Sequence, residues 1–165
     1  MIVSFTGHRP TKIGGYKIPN PSYDKILDLT KQILISCKTK KCITGMALGF
    51  DTLGAWACME LNIPYIAAVP FKGQEKLWPE KSQFQYKFLL TRAAETVYTS
   101  DPGFSAKKMQ IRNEWMVDHA EVVLACWDGS NGGTANCVKY AAKQSKKIIR
   151  INPAKEFKVT EIKSI

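Results

Sequence analysis

The sequence is poorest in the features that would place it in a membrane or around a metal. None of its 165 residues belongs to an apolar run of the ~18 that a spanning helix needs. Its five cysteines, at 37, 42, 58, 126 and 137, are odd in number and form no CxxC pair or other metal-ligand spacing. That pattern excludes a disulfide framework and gives no reason to expect a metal or other cofactor. It suits reduced, mostly buried thiols in a cytoplasmic protein. The opening MIVSFTG lacks the basic start of a signal peptide and reads as a core strand. Repeats and low-complexity segments are missing too. Acids are scarce: 14 Asp and Glu face 24 Lys and Arg, for a net charge of +10. The excess falls in clusters such as KTKK at 38–41 and KQSKK at 143–147. A solvated basic face accounts for them, and so does a surface that attracts polyanions.

What is present is ordinary globular material, 45% hydrophobic and 23% charged, enough for one domain with a sizeable core. β-rich runs at 2–6, 42–44, 64–69, 96–99, 122–126 and 148–151 alternate with helical patterns. The first helix is expected to be capped by Ser22; the others are expected near 51–61, 79–94, 106–119 and 134–144. This alternation predicts an α/β fold: a single Rossmann-like domain with a mostly parallel sheet and helices on both faces. The domain is expected over 1–152, with 153–165 as a loosely attached tail. In sheets of this kind ligands bind beyond the carboxyl ends of the strands, so candidate motifs should follow strands.

Three do. GHRP follows the first strand: Gly7 permits close backbone approach, His8 can donate or accept a proton, and Arg9 is a fork of donors suited to phosphate. A plain surface turn is the alternative. TGMALGFDTLGAW, 44–56, follows the second strand, with Gly45, Met46, Ala47 and Gly49 in the turn and Asp51 at a helix start. Helix N-termini attract anions, and glycines remove side chains that would hold a phosphate off. Asp51 can cap the helix or meet a ribose hydroxyl. The turn fits neither GxGxxG nor the Walker pattern. WDGSNGGT, 127–134, follows the strand EVVLAC; its Trp127 and Asp128 lead into Gly129, Gly132 and Gly133, and Thr134 can cap a helix or bind a phosphate oxygen. A fourth element, IRNEWMVDHA, brings Arg112 and Asn113 within reach. The aromatic set Trp78, Phe84, Tyr86 and Phe88 reads as core and subunit interface, with a base-stacking platform as the alternative.

Together FTGHRP, TGMALGFDTLGAW, RNEWMVDHA and VVLACWDGSNGGTANCVKYA resemble the SLOG superfamily, in its YpsA-type bacterial and phage branch. The resemblance spans roughly residues 1–150 and implies a Rossmann-like domain that binds nucleotides or nucleotide-derived ligands. Phosphoribohydrolases in this superfamily carry an arginine that Arg112 matches and a glycine loop that Gly132, Gly133 and Thr134 match in part. Their catalytic glutamate is replaced here by Cys137. The DNA-processing protein of transformation has a turn similar to Thr44–Asp51. The expected function is therefore binding of a nucleotide-type small molecule, ADP-ribose-like or a second messenger. N-glycosidic hydrolysis and single-stranded nucleic-acid binding are the alternatives. No membrane partner is expected, and pairing into a homo-oligomer is.

Overall fold

The computed structural model describes residues 1–162. Parallel pairing organises it. The strands are β1 (Ile2–Gly7), β2 (Lys41–Thr44), β3 (Tyr65–Val69), β4 (Glu95–Tyr98), β5 (Val122–Cys126), β6 (Lys147–Asn152) and β7 (Lys158–Ile162). They form one seven-stranded sheet in the order β4-β3-β2-β1-β5-β6-β7, parallel except for the antiparallel β6–β7 pair. The helices are α1 (Pro21–Ser36), α2 (Phe50–Glu60), α3 (Glu80–Arg92), α4 (Ala106–Asp118) and α5 (Gly133–Lys143).

The sequence of β5, VVLAC, is apolar throughout because both its faces are covered. Val122, Leu124 and Cys126 join the larger core, which includes Ile26 and Leu34 of α1 and Leu53 and Ala57 of α2. Val123 and Ala125 face the other way, onto Val117 of α4 and Cys137, Val138 and Ala141 of α5. All five thiols are buried and unbonded. Native protein should therefore react slowly with a thiol reagent and quickly once unfolded, a difference that absorbance of the released chromophore would record. No helix among the described residues is long and apolar enough to cross a membrane.

Four local expectations are corrected. Asn20, not Ser22, caps α1: its Oδ1 accepts from the Tyr23 N–H at 3.2 Å, and Pro21 takes the first helical position, where its missing N–H costs nothing. Gly49, not Asp51, is the cap residue of α2, and Gly132, not Thr134, that of α5. Beyond the last parallel strand the chain is not loose. A turn held by Asn152 Oδ1, which accepts from the Ala154 N–H at 3.1 Å, folds β7 back onto β6. Residues 163–165 of the expected tail lie outside the described residues.

β1 lies at the centre. The chain leaves it toward β2 on one side and leaves its neighbour β5 toward β6 on the other. That reversal opens a crevice outside the carboxyl ends of β1 and β5.

Candidate functional site

The loops after β1 and β5 are tied together where the crevice begins. His8 Nε2 lies 2.7 Å from Asp128 Oδ1 and 3.0 Å from the Asp128 backbone nitrogen. With the proton on Nε2 the ring donates to the carboxylate; with it on Nδ1, Nε2 accepts from the backbone N–H. Either tautomer clamps one loop to the other. Lys12 Nζ reaches Asp128 Oδ2 at 3.3 Å, and Ser130 donates from its backbone to Oδ1 at 2.8 Å. Desolvation opposes ionisation of Asp128, but the hydrogen bonds from Ser130 and His8 outweigh it and hold its pKa well below the usual carboxylate range. Trp127 donates from Nε1 to the Ser130 carbonyl at 2.8 Å and lies 5.0 Å from the Arg150 guanidinium. These contacts hold Trp127 and Asp128 outside the cleft lining, and Gly129 makes the turn that follows them at φ 100°.

Burial lowers the His8 pKa from its ordinary value; the attraction of Asp128 opposes this, and Lys12 and Arg150 add to it. The folded protein therefore resists a proton that the unfolded chain accepts. Stability should fall as pH drops below the ordinary histidine value of ~6.5. Urea denaturation between about pH 7.5 and 5 should show the wild type losing midpoint more steeply than His8→Gln. Parallel slopes would reject this role for His8.

The turn after β2 is packed, not hollow. A Cβ on Gly45 would overlap Arg112 Nη1, and one on Gly49 would overlap the His8 carbonyl. Met46 turns its side chain wholly into the core. Thr44 Oγ1 donates to the Asp51 carbonyl at 2.8 Å and accepts from the Met46 N–H at 3.2 Å. Asp51 Oδ2 accepts from the Ala47 N–H at 3.3 Å and faces Arg112 Nη1 at 3.9 Å. Arg112 also donates to the Gly45 carbonyl, and from Nε to Asn113 Oδ1 at 3.0 Å. Asp51 and Arg112 are about 5% and 4% exposed. Burial pushes the Asp51 carboxyl up and the Arg112 guanidinium down, and their mutual attraction opposes both shifts. The first turn of α2 thus carries a buried carboxylate of its own, turned to Arg112 and to the Ala47 N–H.

The N-terminus of α5 is different. Like α2 it has no side-chain cap, but no acid stands in its first turn. A Cβ on Gly132 or Gly133 would meet nothing within 4 Å. Both glycines and Thr134 line a cleft of about 920 Å³. Of the other residues expected at the site, Gly7, His8, Arg9, Ala47, Asp51, Arg112 and Asn113 line it too. Gly45, Met46, Gly49, Trp127, Asp128 and Gly129 support it from outside.

Sequence reasoning missed Lys12, Phe104, Met109, Gln110, Asn136, Lys139 and Lys143, all of which line the cleft. The α5 set had a visible signal: Asn136, Lys139 and Lys143 recur at helical spacing just after the glycine loop. Five lining side chains are basic (Arg9, Lys12, Arg112, Lys139 and Lys143) against one acid, Asp51. Cys137, which the resemblance set opposite a catalytic glutamate, is buried against Thr6. Burial pushes its thiol up to about 11.

The model of the YpsA family, described as the YspA SLOG family, matches residues 3–156. The SPbeta prophage-derived protein YoqJ of Bacillus subtilis (strain 168) is 35% identical over 155 residues, covering 82% of this chain and 90% of that protein. Among solved structures, the chain resembles DNA processing protein A from Streptococcus pneumoniae with a TM-score of 0.65 at 15% identity. The match covers 90% of this chain and 49% of that one. It resembles DNA processing protein A from Helicobacter pylori, described for its single-stranded DNA binding mode, with a TM-score of 0.66 at 16% identity. That match covers 91% of this chain and 64% of that one.

Proposed function

This chain belongs to the YpsA family of SLOG proteins, and on that premise we propose that it binds a nucleotide or nucleotide-derived ligand at the carboxyl edge of its sheet, with a phosphate at the start of α5. The observation that carries this reading is the contrast between the two helix N-termini. That of α2 carries Asp51 in its first turn, and its Phe50 N–H donates to the His8 carbonyl at 3.2 Å; that of α5 has no acid in its first turn and opens to a cleft with a basic lining. Unpaired N–H groups and the partial positive charge of a helix start draw an anion there. Lys139 and Lys143 lie along the same helix, and Arg9 comes from the loop after β1. Asn113 Oδ1 already accepts from Arg112, which leaves its amide N–H groups to meet a ribose or a base.

Binding fits better than hydrolysis. Cleavage of an N-glycosidic bond asks for a carboxylate beside the anomeric carbon. Asp51, the carboxylate lining the cleft, is held by Arg112 and Ala47. Single-stranded DNA, bound by the Helicobacter pylori relative, is the second reading, and the net charge of +10 favours it.

Two measurements separate these readings. A nucleotide present at 100 times its dissociation constant should add about 2.7 kcal/mol, which raises the melting temperature by roughly 5–10 °C in a domain of this size. A broad nucleotide panel that leaves melting unchanged would remove the main support. Binding of an oligonucleotide should instead weaken by about 0.7 log unit per log unit of salt for each phosphate contacted.

Gly133→Glu gives the sharper test. Its side chain enters open space and places a carboxylate where the phosphate is proposed to sit. Melting of the free protein should stay within about 1 °C or rise slightly, because an acid at a helix start is favourable by ~0.3–1 kcal/mol. The ligand-induced shift should disappear. A full shift retained in Gly133→Glu would move the phosphate elsewhere.

A further inference from the structure

The cleft has one feature that phosphate binding does not use. Phe104 lines it and is 79% exposed, an uncommon position for a ring that gains by burial. It is not on a slack loop. Lys108 Nζ donates to the carbonyls of Asp101, Pro102 and Gly103 at 2.8, 3.0 and 3.0 Å, which pins the turn leading into it. Behind it stands the buried Phe71, edge-to-face at 6.2 Å between centroids. One face of Phe104 is therefore left to the cleft. Ala106 and Met109, from the first turn of α4, extend the apolar wall, and Gln110 follows them. The basic wall belongs to α5 and to the loop after β1.

From this division we infer that Phe104 is the platform on which the ligand's base stacks, so that the site selects base-bearing phosphates over sugar phosphates. The inference rests on the phosphate-binding reading of the same cleft and adds a residue and a substrate class to it. A flat aromatic guest fits because an edge-to-face partner fixes the ring plane beforehand, and stacking on a fixed plane needs little ordering. Stacking does not depend on which base is presented, since every base has a π-face. Choice among bases then falls to the side-chain amides of Gln110 and Asn113.

Calorimetry with ADP and with ribose 5-phosphate tests this. The wild type should bind ADP tighter than ribose 5-phosphate by at least about tenfold. Phe104→Ala should weaken ADP about 10–100-fold and leave any ribose 5-phosphate affinity within about twofold. Phe104→Tyr should restore ADP binding. In proton NMR the adenine protons of bound ADP should shift upfield through the ring current of Phe104, and the shift should vanish in Phe104→Ala. Because the ring is exposed, these variants should fold normally. Equal affinity of the wild type for both ligands, or ADP binding unchanged in Phe104→Ala, overturns the inference while leaving phosphate binding standing. A wild type that binds neither ligand overturns both.

Discussion

Replacing Arg112 by methionine should cost about 3–5 kcal/mol of stability, the usual consequence of leaving a buried charge without its partner. Arg112 is buried and meets Asp51, the Gly45 carbonyl and Asn113 Oδ1. Methionine fills much of the volume and supplies no donor. In a domain of this size the melting temperature should drop by roughly 10 °C or more. Asp51→Asn on the same background should recover a good part of the loss, since removing both charges is far cheaper than removing one. The deficit should also depend on pH in a definite sense. Burial already pushes the Asp51 carboxyl up, and Arg112 opposes that push. Without the guanidinium the folded protein holds the proton more tightly than the unfolded chain does. The single variant's deficit should therefore shrink as pH falls toward ~4 and grow above it. Urea midpoints for the wild type, both single variants and the double variant at two pH values check this. Losses that simply add across the pair would show that Arg112 acts through packing alone.

Gly49→Ala should cost about 3 kcal/mol, for two reasons that can be separated. The residue sits at φ 97°, ψ −124°, a backbone region that side chains rarely adopt, at a strain of about 1–3 kcal/mol. Its new Cβ would also run into the His8 carbonyl and crowd the Arg9 Cα at 3.0 Å. Gly132→Ala isolates the first reason, because it too has a positive φ, 143°, but open space around it. Gly133→Ala lacks both and should be close to neutral. The order of melting temperatures should be Gly133→Ala, then Gly132→Ala, then Gly49→Ala. Since the Gly49 clash pushes on the loop that carries His8 and Arg9, that variant should bind ligand more weakly as well. A Gly49→Ala protein as stable as Gly133→Ala would mean that the α2 turn can move freely, against its tight packing here.

The alternation of strands and helices was legible because burial on both sheet faces leaves continuous apolar runs such as VVLAC and PYIAAV. β7 was not, because four of its five residues are exposed and KVTEI offers no such run. Three of the segments around the cleft were legible as turns because glycines cluster where strands end. What each glycine does was not. Gly45 and Gly49 looked like the walls of a phosphate cradle, yet their missing side chains are replaced by Arg112 and by the backbone of residue 8. Only distant contacts decide this, and spacing carries no record of them. The His8–Asp128 pair joins residues 120 positions apart. Phe104 sits in a DPGFS segment whose local message is a chain break, and its pairing with Phe71 comes from tertiary structure.

The acid in the first turn of α2 limits what the cleft can offer. Of the two helix starts that follow β2 and β5, only that of α5 has no acid in its first turn, so under the proposed reading a single phosphate is gripped by main-chain groups that most substitutions leave in place. Any additional phosphate must rely on Lys139, Lys143 or Arg9, each one codon change from another residue. Preference for longer or shorter phosphate chains can therefore drift between close relatives while the first anchor, and the architecture behind it, stays the same.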